Sequence, residues 1–280
     1  MIGGRPRYYS QAGEDFLLWK LFKFRPSGFY VDVGAFDGVH LSNSYSFELA
    51  GWQGICIEAN PDMLERCKVA RPRSTCLGCA CVATDQIEPV EFWCEPLGLL
   101  SSLHPDAADV SARYEKRGLT FEGFERIRVP AMTLDTILDE QLPEGTPLDF
   151  VSIDVEGTEL DVLRGFDLKR YRPRVVVIEA NTEERRQALC QHLVDENDYI
   201  EARRLEVNLF FARDRRDAER LRRIRVACWI EPTIHPLGDK FTMKERRRRR
   251  YIGRTRTQQW LSWRRPMGII RKLHAMLRSP

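Results

Sequence analysis

Short, unbroken apolar runs recur along this chain with helical patterns between them, and that alternation restricts the fold more than any other feature. FYVDVG (29–34), GICIE (54–58), LDFVSIDV (148–155) and Arg174–Ala180 are too short for buried helices and read as strands covered on both faces. Helical spacing precedes or separates them: residues 11–24 up to the stop at Pro26-Ser27-Gly28, residues 42–51 with Ser42 and Asn43 as cap candidates, Pro61 to Ala70, Thr133 capping LDTILDE, Glu159–Leu168, and Glu183–Glu196. Strands are also expected over 74–83, 90–94 and 127–132, and a closing hairpin over 199–203 with 207–212. Residues 95–125, with polar turns around Ser101–Asp109 and Gly118–Gly123, are expected to form a loop-rich insertion or lid. Strands apolar on both faces need helices on both sides. The pattern therefore predicts an α/β fold with a mostly parallel sheet and an antiparallel edge.

At 280 residues, 43% hydrophobic and 30% charged, the chain has the composition of a folded globular protein. No apolar stretch reaches membrane-spanning length, and the first residues show no apolar core of a secretory signal, so a cytoplasmic protein is expected. The net charge of +3 conceals two halves: residues 213–280 hold 21 Lys+Arg against 6 Asp+Glu, residues 1–212 hold 23 against 35. The expected division is a domain over 1–212 and a basic, helical C-terminal extension over 213–280. Eight cysteines include one CxxC, Cys76 and Cys79, without the second pair of a zinc ribbon. They read as reduced core thiols in a reducing compartment.

Three segments carry chemistry. In Val31-Asp32-Val33-Gly34-Ala35-Phe36-Asp37-Gly38 a buried strand runs into a glycine loop and then a helix, the arrangement that binds ligands at the carboxyl edge of a sheet. The spacing is neither GxGxxG nor GxxxxGK[ST], which disfavours a dinucleotide cradle and excludes a P-loop. The carboxylates of Asp32 and Asp37 suit a ligand bearing an ammonium or hydroxyls instead. Glu58 ends the next strand about 20 residues on, where a carboxylate can take both hydroxyls of a ribose. Asp154 and Glu156 stand at the mouth of a central strand, and Glu179 at the mouth of its neighbour. Such carboxylates can act as general base, bind sugar hydroxyls or hold a divalent metal, with Asp154 and Glu179 as the candidate Mg2+ ligands. No histidine pattern suggests zinc there.

These blocks, in this order, resemble the FkbM-type methyltransferases, a branch of the S-adenosylmethionine-dependent Rossmann-like enzymes. The resemblance rests on Ser10-Gln11-Ala12-Gly13-Glu14-Asp15, VDVGAFDGVHLSNS, GWQGICIEANP, VSIDVEGTE with VVVIEAN, and Asn208-Leu209-Phe210-Phe211-Ala212. It implies a seven-stranded Rossmann-like sheet and S-adenosylmethionine as cofactor. Asp32, Gly34, Ala35, Asp37 and Gly38 would cradle the methionine part, with Gln11 and Asp15 near it, and Asp154 would also contact the cofactor. Glu58 would hold the ribose, flanked by Ala59 and Asn60, and Cys79-Ala80-Cys81 would meet the adenine. Ser42 and Asn43 would start the helix beneath the loop.

The implied reaction is O-methylation of a hydroxyl, first a sugar hydroxyl on a glycan or glycolipid, with a small polyketide-like metabolite as the alternative acceptor. A hydroxyl is a poor acid, so a base must take its proton. The candidates are Asp154, Glu156, Glu179 and His40, with Ser101, Ser102 and His104 on the substrate side. The rival readings are a non-catalytic scaffold docked through its tail and, weakened by the glycine spacing, a nicotinamide oxidoreductase. In the tail, KERRRRR (244–250) precedes 258–278, where Trp260, Trp263 and an apolar stripe after Pro266 sit among Arg and Lys. That pattern fits an anionic membrane surface, hence a peripheral position at the inner face of a membrane, or a helix packed on the domain or on a second subunit. Nucleic acid is disfavoured by the acidic body.

Overall fold

The computed structural model describes residues 6–86, 88–116, 118–231, 233 and 250–252. In chain order the elements are α1 (Glu14–Leu21), β1 (Phe29–Val33), α2 (Tyr45–Glu48), β2 (Gln53–Ile57), α3 (Pro61–Ala70), β3 (Ser74–Leu77), β4 (Ala80–Cys81), β5 (Val90–Cys94), α4 (Ala107–Glu115), β6 (Glu125–Val129), β7 (Ala131–Met132), α5 (Leu134–Gln141), β8 (Phe150–Ile153), α6 (Glu159–Arg164), α7 (Leu168–Tyr171), β9 (Val175–Glu179), α8 (Glu183–Cys190) with a π turn over Gln191–Asp195, β10 (Ile200–Leu205), β11 (Asn208–Ala212), α9 (Arg215–Arg223), β12 (Cys228–Ile230) and β13 (Arg250–Ile252).

Seven strands form one sheet in the order β10-β11-β9-β8-β1-β2-β3. The five strands from β9 to β3 are parallel, while β11 runs antiparallel to both β9 and β10. The expected fold class and antiparallel edge are thus present. Alternate side chains of each strand enter opposite cores, as the two-residue period of a strand requires. Val31, Val33, Ile55, Ile57, Val151, Ile153, Val176 and Ile178 pack with α5, α6 and α8 on one face. Tyr30, Cys56, Phe150, Val175, Val177 and Phe210 pack with α1, α3 and α9 on the other.

Local chemistry explains the boundaries. Asn60 Oδ1 accepts the N–H groups of Asp62 and Met63, and Pro61 occupies the first helical turn, so α3 starts where the sequence predicts. Thr133 Oγ1 accepts Thr136 N–H at the start of α5. The single helix expected over 159–168 is instead two. Gly165 ends α6, and a Cβ there would lie 2.3 Å from the Val82 carbonyl oxygen. Asp167 then caps α7 by accepting from Lys169 and Arg170. The expected strand 127–132 breaks at Pro130: β6 joins the β5 hairpin and β7 pairs with β4.

Three further expectations need correction. The helix expected from residue 42 is one turn, beginning at Tyr45 with Ser44 as the cap residue. Ser42 Oγ lies upstream and accepts the N–H groups of Ser44 and Tyr45. The insertion 95–125 is not merely loop; it holds α4, capped by Asp106 and facing inward through Val110 and Tyr114. Packing also continues past residue 212. α9 lies against α1, β10 and β11 with Ala218 and Leu221 buried, so the first part of the basic segment belongs to the same body. The stretches 244–249 and 258–278, including the proposed membrane helix, lie outside the described residues. Among the described residues no helix is long and apolar enough to cross a membrane.

Candidate active site

Strand order reverses at β1: β2 and β3 continue to one side, β8 and β9 to the other. The crevice at the carboxyl ends of strands at such a switch point is where open α/β sheets bind ligands. Here it holds a cavity of about 390 Å³. Residues from β1 and its loop (Asp32, Gly34, Ala35, Phe36), from the β2 tip (Glu58, Ala59), from β4 and the residue before it (Cys79, Ala80, Cys81) and from the β8 and β9 tips (Asp154, Glu156, Glu179, Asn181) line it. Gln11, His40, Ser42, Asn43 and Ser101 complete the lining expected from the sequence.

The backbone at the β1 tip is built for a close crossing. Gly34 has φ +81, and a Cβ on it would sit 1.8 Å from the Asp154 carbonyl oxygen. Its glycine thus lets the loop pass the β8 tip. The N–H groups of Gly34 and Ala35 both donate to the Ile57 carbonyl. Glu58 ties the same loop to β2: its carboxylate accepts Phe36 N–H at 2.7 Å and Asn60 N–H at 2.8 Å. The Ala59 N–H also faces this carboxylate, and its remaining acceptor capacity lies beside the cavity. Burial raises its pKa to about 7.

Asp32 is held from behind. It accepts a short hydrogen bond from Ser44 Oγ, and the Arg71 guanidinium lies 3.8 Å away. Burial raises Asp32 to about 6 despite that cation. Arg71, entirely buried, donates to the Gly38 carbonyl at 2.5 Å, to Tyr30 Oη and Ser44 Oγ at 2.9 Å, and to Ser42 Oγ at 2.7 Å. It fastens the whole glycine loop.

Several expected ligand residues are turned to structure instead. Asp37 Oδ1 accepts the N–H groups of Val39 and His40, closing an Asx turn. Gly38 backs onto Cys67 and Arg71, Asn60 caps α3, and Asp15 accepts from Tyr9, Ser10 and Phe16. None of these four lines the cavity, nor do Ser102 and His104. Ser102 Oγ donates to the Glu156 carbonyl and accepts His104 N–H, which anchors the insertion to the β8 tip. His40 lines the cavity with Nδ1 2.6 Å from Thr233 Oγ1, and burial keeps it below the ordinary imidazole value.

At the β8 and β9 tips, carboxylate oxygens of Asp154, Glu156 and Glu179 lie within 4.8 Å of one another. Desolvation, and then mutual repulsion led by Glu179, raises Asp154 well above the carboxylate range and Glu156 to about 8. Glu179 is raised as well, by burial first. Like charges this close hold protons near neutrality. Arg113, brought in by α4, is 3.4 Å from Glu156 and is the one Arg or Lys among the described lining residues. Glu179 Oε2 and Asn181 Nδ2, one acceptor and one donor, are buried beside the cavity, and Asn181 favours the ionised form of Glu179. Glu95 shapes the lining loop that faces them: it accepts Leu97 and Leu100 N–H and the Tyr114 hydroxyl.

The FkbM methyltransferase domain matches residues 32–207, more than half of the chain. The chain belongs to the FkbM methyltransferase family. It is an S-adenosylmethionine-dependent methyltransferase. Among solved structures the methyltransferase is similar to precorrin-6Y C5,15-methyltransferase from Geobacter metallireducens GS-15 (16% identity over 71% of this chain and 84% of that one, TM-score 0.35). It is also similar to a TehB-like SAM-dependent methyltransferase from Corynebacterium glutamicum ATCC 13032 Kitasato (10%, 72% and 88%, 0.36) and to an O-methyltransferase from Bacillus cereus in complex with SAH (11%, 71% and 80%, 0.34). No curated protein matches the sequence significantly. The methyltransferase's cavity fits the family's cofactor on physical grounds. Its volume lies in the small-molecule range, and five acidic groups (Asp32, Glu58, Asp154, Glu156 and Glu179) against the one Arg of its described lining can ionise towards a cofactor that is a net cation.

Phe36, Arg113, Ser152, Asn181 and Asn208 line the cavity without having been singled out in the sequence. Asn181 had a usable signal, two residues beyond Glu179 at a strand tip. Arg113 had one only through α4, where Asp106 and the Val110/Tyr114 pair mark a capped amphipathic helix.

Proposed function

We propose that this methyltransferase transfers its methyl group to a hydroxyl oxygen, with a sugar hydroxyl of a glycan or glycolipid as acceptor. S-adenosylmethionine supplies a methyl group on a good leaving group, so what remains for the protein is alignment and removal of the acceptor proton. Glu58 would accept from both ribose hydroxyls with the capacity its backbone partners leave free. Ala59, Cys79 and Ala80 would flank the nucleoside. Glu179 Oε2 and Asn181 Nδ2 would meet the charged ends of the methionine part.

The observation that carries the O-methyl reading is the convergence of the Asp154, Glu156 and Glu179 carboxylates at the cavity. The ionised member of this cluster accepts the hydroxyl proton, and its remaining oxygens accept from neighbouring hydroxyls, which an acceptor rich in hydroxyls provides. Arg113, beside Glu156, offsets part of the cluster's negative charge and favours its ionised form. Ser101, which lines the cavity, accepts Glu95 N–H and donates to the Gly98 carbonyl, and so would shape the acceptor side through its loop.

The test supplies S-adenosylmethionine with free glycans, glycolipids, phenols and amines, and identifies the methylated product by mass spectrometry. Methyl on a sugar oxygen supports the reading; methyl only on nitrogen, carbon or a small phenol overturns it. The closeness of Asp154 and Glu179 favours one second reading, a divalent ion bound between them. A rate unchanged by EDTA and by added Mg2+ disposes of the ion; loss with EDTA and recovery with Mg2+ establishes it.

A pH effect follows from Glu58. With a pKa near 7 its carboxylate loses a proton as pH rises through neutrality, and only the ionised form accepts from two hydroxyls. Calorimetric affinity for S-adenosylhomocysteine is therefore expected to fall about tenfold between pH 8 and pH 6. A flat profile contradicts the ribose role.

A further inference from the structure

On the opposite face of the sheet from the α5–α6–α8 layer, three cysteines from three elements converge. Cys56 lies in β2, Cys67 in α3 and Cys76 in β3. Their sulfurs all lie within 4.8 Å of one another, and Cys67 and Cys76 are 3.8 Å apart. The CxxC seen in the sequence does not unite: Cys79 faces the other core, and Cys76 turns to Cys56 and Cys67.

We propose that Cys56, Cys67 and Cys76 form a binding site for a thiophilic metal ion, with Zn2+ as the species that best suits the spacing. Two ligands at about 2.3 Å on the corners of a tetrahedron stand ~3.8 Å apart, the Cys67–Cys76 separation, and side-chain rotation brings Cys56 to the same distance. Three thiols each release one proton to solvent and form one bond to the metal, giving an anionic centre of charge −1. A compensating cation is in place. Arg71, four residues after Cys67, interacts electrostatically with all three sulfurs, and its own nearest carboxylate is 3.8 Å away. Cys56 and Cys67 are fully buried and Cys76 is half-buried, so an ion would enter on the Cys76 side, where solvent can supply a fourth ligand.

Ordinary core thiols need no partners of their own kind; three strangers in sequence meeting beside a buried guanidinium is the geometry of a site. The cluster also abuts the cofactor loop. Cys67 Sγ lies where a Cβ on Gly38 would come within 3.1 Å, and Arg71 binds the Gly38 carbonyl. An occupied centre would fix α3 to β3 and hold Arg71 against that loop.

The test uses the full chain, prepared anaerobically, stripped by chelator and titrated with Co2+ and then Zn2+. Expected are one equivalent of cobalt with thiolate-to-metal charge-transfer absorption, its displacement by one equivalent of zinc, and a rise in melting temperature. Cys76→Ser is expected to weaken zinc at least about tenfold while keeping the far-ultraviolet spectrum, and Cys190→Ser to change nothing. Absence of the charge-transfer band overturns the proposal. So does zinc affinity equal to wild type in both Cys76→Ser and Cys67→Ala.

Discussion

Glu58→Ala is expected to weaken S-adenosylhomocysteine binding by about 10²- to 10⁴-fold, the loss of two hydrogen bonds to a charged acceptor at roughly 1.5–3 kcal/mol each. The same carboxylate accepts the N–H groups of Phe36 and Asn60, so alanine also strands two backbone donors and lowers stability by about 1–3 kcal/mol for each. Glu58→Gln separates the two effects. The amide oxygen keeps one backbone donor satisfied, while the charge and half of the acceptor capacity go. Its melting temperature is expected to stay nearer wild type than that of Glu58→Ala, with affinity still reduced at least about tenfold. Calorimetric titration with thermal unfolding on the same samples reads both. Wild-type affinity in a folded Glu58→Ala protein would remove Glu58 from the binding site.

Asp154→Asn carries the largest expected effect on rate, about 10²- to 10⁴-fold in kcat, the usual contribution of a positioned base. Affinity for S-adenosylhomocysteine is expected to change by no more than about threefold, because the substitution keeps the size of the side chain at the β8 tip. The pH profile gives an independent readout. Glu156 has its pKa raised to about 8, so at neutral pH the cluster retains protons and the rate rises as pH increases through that value. In Asp154→Asn the step that belongs to Asp154 itself should vanish from the profile, leaving the rise near pH 8 that Glu156 contributes. Equal kcat and an unmoved profile would place the base elsewhere, with His40 next to be tested.

The strand tips were the legible part of this site. Runs such as Val175–Ile178 and Gly54–Ile57 are buried on both sides, so the sequence carries no alternation to misread, and each ends in a carboxylate at the sheet edge. What stayed hidden is how acceptors are allotted. Asp37 carries the same group as Asp32, yet its Oδ1 serves backbone N–H groups two and three residues away, while the Asp32 carboxylate meets Ser44 and Arg71. Local geometry decides that, and composition cannot. Arg71 was invisible for the converse reason. A lone arginine at the end of an exposed helix reads as solvated, and only the packing of α3 onto the glycine loop buries it. The α4 helix was lost because two apolar residues four apart stand out weakly among polar neighbours. With it went Arg113, the cation that faces the carboxylate cluster.

The cavity wall joins Gln11 to Asn208, and Glu14 accepts a hydrogen bond from Asn208 across 194 residues. In the sheet, β1 finds its central neighbour β8 only after the whole insertion has been made. A nascent chain leaving the ribosome can assemble β1, β2 and β3 early, since these pair through short local crossovers, but must hold the exposed edge of β1 until residue 150 emerges. The far wall closes later still, when residue 208 arrives. The pocket is therefore complete only once β11 has been made, and a protein truncated before it would carry the family's glycine loop intact while lacking the Asn208 side of the wall.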